Sequence, residues 1–120
     1  TMTQFTQGRP SRMRSVYGHN EGTTTEDVYT CPPNCVAEVT FIHVVNGGNS
    51  TRTVVLAWYV AADDYTSLFL SDKSLASNAH VTFSDIDLVL QAGDKIKVTP
   101  SGTGHIDTII TATETFIPVG

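Results

Sequence analysis

The sequence predicts an all-β domain, an antiparallel β-sandwich of immunoglobulin-like or jelly-roll-like type, preceded by an extended N-terminal arm. Three observations lead there. Short runs rich in Val, Ile, Thr, Tyr and Phe are punctuated by Gly, Asn, Pro, Asp and Ser at spacings of about 8 to 12 residues. Helical periodicity is nearly absent. A length of 120 residues with 40% hydrophobic content suits one core of ordinary size. The boundaries expected are an arm over residues 1–15 and a sandwich over residues 16–120.

In the arm, TMTQFTQGRPSRMR, only Met2, Phe5 and Met13 are apolar, so the segment cannot bury enough surface to order itself. Its charges are Arg9, Arg12 and Arg14, whereas the other four cations share the rest of the chain with all twelve acids. This asymmetry gives the arm a task separate from the acidic body. Phe5, Arg9, Arg12 and Arg14 are therefore the candidate partner-binding residues, the arginines donating to acidic groups on a neighbour. The net charge of -5 argues against a nucleic-acid surface. No apolar run approaches a membrane span, and the first residues lack the apolar stretch of a secretory signal.

Seven strands follow in order: 26–30, 36–45, 53–60, 66–70, 80–83 continuing at 86–90, 95–99 and 106–117. The alternation is clearest in TVVLAWYV, where Val54, Leu56, Trp58 and Val60 share one face, so Trp58 is expected in the core. IDLVL and IKV repeat it, with aspartate and lysine on the wet side. Asn46 to Ser50, NGGNS, supplies residues that tolerate positive φ and reads as a hairpin. QAGD, Gln91 to Asp94, reads the same way, and PSGTG, Pro100 to Gly104, separates the last two strands.

The first of these strands runs into Cys31-Pro32-Pro33-Asn34-Cys35. A redox dithiol needs C-x-x-C at a helix N-terminus; this C-x-x-x-C pair lies between strands and contains two prolines. It reads as a turn, its thiols either reduced or joined in a disulfide that closes a very short loop. His19, His43, His80 and His105 lack metal-ligand spacing, and a zinc site would require them to converge in the fold. Asp63 with Asp64 and Asp85 with Asp87 match no calcium loop and read as solvated turns and faces. No nucleophile elbow or phosphate loop occurs, so no enzymatic activity, cofactor or metal is expected.

The order of features then carries a resemblance. Tyr29, Thr30, Pro32 and Asn34 form a corner; Ala37 and Asn46 mark the strand after it; Leu90, Ala92, Gly93, Asp94, Ile96 and Val98 form a late turn; Glu114 lies on the last strand. Together these resemble small β-sandwich virion proteins of tailed bacteriophages, over roughly residues 25–116. The resemblance implies a structural protein of the virion, first of all a capsid decoration or cement protein. It would act in repeated copies on a major capsid protein or on tail and neck proteins. Neck, tail or fibre components are the alternative within that class. A carbohydrate-binding sandwich is the alternative outside it and would need exposed aromatics.

Overall fold

The computed structural model describes residues 10–117 of the chain, which form eight strands. These are β1 (Ser11–Asn20), β2 (Glu26–Thr30), β3 (Cys35–Asn46), β4 (Arg52–Val60), β5 (Tyr65–Leu75), β6 (His80–Leu90), β7 (Lys95–Pro100) and β8 (Ile106–Phe116), with one 3-10 turn, Ala61–Asp63, between β4 and β5. Among the described residues no helix is long and apolar enough to cross a membrane.

The alternation in the sequence becomes the core directly. Ala37, Val39, Ile42 and Val44 of β3, Val54 and Leu56 of β4, Ile96 and Val98 of β7, and Ile106, Ile110 and Ala112 of β8 are all buried between two sheets. In β3 the phase slips once: Val39 and Ile42 both face inward because the register with β6 and β8 shifts between Val39 and Phe41, leaving Thr40 as the extra residue of a bulge. Trp58 lies at the margin of this core, half-buried, rather than within it.

Each sheet has four antiparallel strands, in the orders β1-β8-β3-β6 and β2-β7-β4-β5. Six of the seven connections cross from one sheet to the other, and only β4 and β5 are consecutive neighbours. That wrapping is the jelly roll; an immunoglobulin sandwich keeps three of its consecutive pairs within a sheet. It also corrects the turn expectations. NGGNS and QAGD, expected as hairpins, join strands of different sheets and are not hairpins; PSGTG separates the last two strands as expected, and these too lie in different sheets. Gly93 of QAGD takes positive φ (88°) and Gly104 of PSGTG does too (155°), whereas no residue of NGGNS does; a composition that tolerates positive φ marks a reversal without fixing whether it stays within one sheet.

Asn46 shows what such a corner demands. Its side chain, fully buried, donates to the carbonyls of Ser50 (2.8 Å) and Leu75 (3.0 Å) and accepts from the Gly48 amide (3.0 Å). At the other end Asp94, also buried, accepts from the amides of Gln91 and Ala61 (both 3.0 Å) and from the Trp58 indole (3.3 Å). Of the expected arm, residues 1–9 lie outside the described residues, and Ser11 to Ser15 form the first half of β1.

Candidate functional site

β1 is an edge strand, paired on one side with β8 from Ser11 opposite Thr115 to Asn20 opposite Ile106. Its outward residues include Met13 and Tyr17, 71% and 82% exposed, and Tyr17 stands opposite Ile109 of β8, itself exposed. Its inward residues are Arg12, Arg14, Val16, Gly18 and Asn20, of which only Val16 adds an apolar side chain to the core. Gly18 is required by proximity, since a Cβ there would meet Val28 Cγ2 of β2 at 2.7 Å. The strand can therefore lie over β2 only with no side chain at that point.

The inward arginines meet Glu114 of β8, which is 2% exposed. Arg12 Nε donates to one carboxylate oxygen and Arg14 Nε to the other, both at 2.8 Å, and the Tyr29 hydroxyl donates to the second oxygen at 2.5 Å. Arg14 also lies over the Tyr29 ring, 5.6 Å from its centroid. Burial opposes ionisation of Glu114, but the hydrogen bonds from Tyr29, Arg14 and Arg12 outweigh it and hold the carboxyl below its usual range. Burial, then the Glu114 carboxylate, push the Tyr29 phenol well above its ordinary value.

Of the four candidate partner-binding residues, Phe5 and Arg9 lie outside the described residues, while Arg12 and Arg14 are brought together on this intrachain carboxylate. Arg12 remains 66% exposed and lines, with Pro10, Cys35 and Phe116, a cleft of about 250 Å³ above Glu114. Cys31 and Cys35 flank the corner as free thiols, with Asn34 at φ 61° between them. Cys31 is buried, and that burial, reinforced by Cys35 and Glu114, pushes its thiol up to about 11, far from the range of a nucleophile. The corner is tied to the late turn by the Cys31 amide on the Asp94 carbonyl (2.9 Å) and the Gly93 amide on the Cys31 carbonyl (3.0 Å).

Two further groups were not singled out from the sequence. The open mouth between β5 and β6 holds an apolar cleft of about 280 Å³ lined by Trp58, Phe69, Phe83, Ile86 and Leu88, with Phe69 and Phe83 edge to face at 6.0 Å. At the far end of the β1-β8 ladder, His19 hydrogen-bonds through Nδ1 to Asp107 and through Nε2 to Glu21 (2.8 Å). Its ring centroid is 5.2 Å from that of His105. The Asp107 bond, then that from Glu21, raises the His19 pKa. Two histidines 86 positions apart in the chain give no local spacing to read; the β1-β8 register creates their proximity.

No protein-family profile matches the sequence, and no curated protein matches it either. Solved structures do. A chain of the acid-stable capsid structure of Helicobacter pylori bacteriophage KHP30 is similar over 93% of this chain and 91% of that one, with TM-score 0.55 and 15% identity. A chain of the Bacillus endospore appendages, a family of disulfide-linked pili, is similar over 92% and 91%, with TM-score 0.55 and 10% identity. A chain of infectious bursal disease virus, Gx strain, matches over 94% of this chain, which spans only 33% of that one, with TM-score 0.52 and 10% identity. At these identities the likeness defines the fold, a sandwich shared with chains of viral particles and of pili.

Proposed function

We propose that this chain is a non-enzymatic structural subunit of a virion, a capsid decoration or cement protein acting in repeated copies. The observation that carries the reading is the fold likeness to a phage-capsid chain, 91% of which this jelly roll covers. The phage-virion resemblance of the corner, the late turn and Glu114 points the same way. An edge strand bearing exposed Met13 and Tyr17, preceded by a segment with Phe5 and Arg9, suits attachment to neighbouring subunits by main-chain pairing and arginine contacts. Its partners on this reading are the major capsid protein or tail and neck proteins.

The test is to image tagged copies of the chain in particles purified from the source of the sequence. Copies spread over the shell are expected. A ring at the neck or tail would overturn the decoration assignment in favour of a connector, and absence from particles would overturn the virion reading. The aromatic cleft beside Trp58 is the feature that favours a carbohydrate-binding module instead. Specific binding on a glycan array by a chain missing from particles would establish it.

A further inference from the structure

The end of the β1-β8 ladder assembles a donor set that neither strand holds alone. His19 is the penultimate residue of β1, Glu21 follows its last residue, and His105 precedes the first residue of β8. One ligand atom from each lies within 4.8 Å of the other two. Backbone bonds fix the two loop positions: the Glu21 carbonyl accepts from the Gly104 amide (3.1 Å), and the His105 carbonyl accepts from the Gly47 amide (2.8 Å). Asp107, opposite His19 in the register, takes the Nδ1 hydrogen bond and leaves Nε2 turned toward Glu21.

We propose that His19 Nε2, Glu21 and His105 form a binding site for a divalent transition-metal ion, zinc by the character of the donors, with Asp107 orienting the His19 ring. Imidazole and carboxylate are the ligands that zinc takes, and three protein donors with an open fourth position are a stable pattern. A carboxylate on the far nitrogen of a ligating histidine fixes its tautomer and strengthens it as a ligand. Tetrahedral coordination needs ligand atoms about 3.3 Å apart. The 2.8 Å contact between His19 and Glu21 therefore widens slightly, and the longer separation to His105 closes by a ring rotation at the exposed surface. Because the ligands come from both strands, the ion clamps the end of the β1-β8 ladder.

His43 and His80 serve as an internal control: their ring centroids are 5.1 Å apart on the same sheet, but His43 bonds to the Thr82 hydroxyl and among the described residues they form no such cluster with a carboxylate. The experiment is calorimetric titration of zinc chloride into chelator-stripped protein free of any histidine tag. About one ion per chain is expected. His105→Ala and Glu21→Gln should each weaken binding at least about tenfold, and Asp107→Asn by about 10- to 100-fold, while His43→Ala leaves it unchanged. In NMR spectra the ring signals of His19 and His105 should move with zinc and those of His43 and His80 should not. Absence of saturable binding at millimolar zinc overturns the proposal. So does binding that survives the His19→Ala, His105→Ala double variant, or that is lost equally with His43→Ala; circular dichroism checks that each variant is folded.

Discussion

Removing the Glu114 carboxylate leaves the Tyr29 hydroxyl without its acceptor in the interior and two guanidinium groups without their anion. Breaking a fully buried ion pair costs about 3 to 5 kcal/mol. Arg12 is 66% exposed and can recover water, so Glu114→Ala should cost about 2 to 3 kcal/mol in a urea titration. The pH dependence follows from the depressed carboxyl. Its contribution is fully present above the ordinary carboxylate range and is lost as pH falls through the lower folded value. Arg14, its pKa raised by the Glu114 carboxylate, stays charged and the Tyr29 phenol, pushed upward, stays protonated, so the depressed Glu114 carboxyl is the group that responds to acid. The stability difference between the wild type and Glu114→Gln should therefore hold from neutral pH to about 5 and shrink below about 4. A difference that stays constant into strong acid would show that the charge does not matter. The sequence makes Arg12 and Arg14 conspicuous but hides their intrachain acceptor, 102 and 100 positions away.

Strand β1 is the element that the sequence conceals and the one on which the rest of the site depends. The other seven strands are legible because apolar residues alternate along them, and the observed ends differ from expectation by a few residues at most except in β5, which continues from Leu70 through a bulge to Leu75. Of the inward positions of β1 only Val16 carries the apolar residue a strand signal would show, and Arg12, Arg14, Gly18 and Asn20 occupy the others. The segment is a strand because β8 offers it a paired edge and Glu114 an anion, causes that belong to tertiary structure. Gly18→Ala tests how closely β1 lies over β2. The new methyl would overlap the Val28 side chain, a short branched group with little room to yield, and should cost about 1 to 3 kcal/mol. Adding Val28→Ala should restore part of that loss in thermal melts. If Gly18→Ala alone is neutral, the strand is more loosely docked than the 2.7 Å approach implies.

At the scale of the whole chain, the two strands flanking β8 are β1 and β3, so the last strand is the centre of its sheet. A fragment ending at residue 105 should consequently fail to fold, because β1 loses its whole ladder and β3 keeps only β6. Collapsed amide dispersion in NMR is the expected sign, and cooperative unfolding of the fragment would contradict it. The pieces behind the virion resemblance gather by the same closure. Tyr29, Asp94 and Glu114 converge at one end of the sandwich, with Asn46 clamping a corner elsewhere, so widely spaced letters in the sequence are joined by direct contacts or by the same fold. Their mutual contact depends on a wrapping order that turn chemistry alone does not specify.

That wrapping order also sets when the protein can fold during its own synthesis. Only the β4-β5 pair joins consecutive strands, and β1 must wait for a partner made roughly a hundred residues later. Until β8 clears the ribosome, the edges of β1 and β3 that it will occupy stay open to pairing with other chains. Closure of that sheet then waits for β8, on the millisecond-to-second timescale of non-local β topologies. A chain made in many copies at one place would be most exposed to mispairing during that interval, and Arg12 and Arg14 at two of the inward positions of β1 make the waiting strand less prone to it.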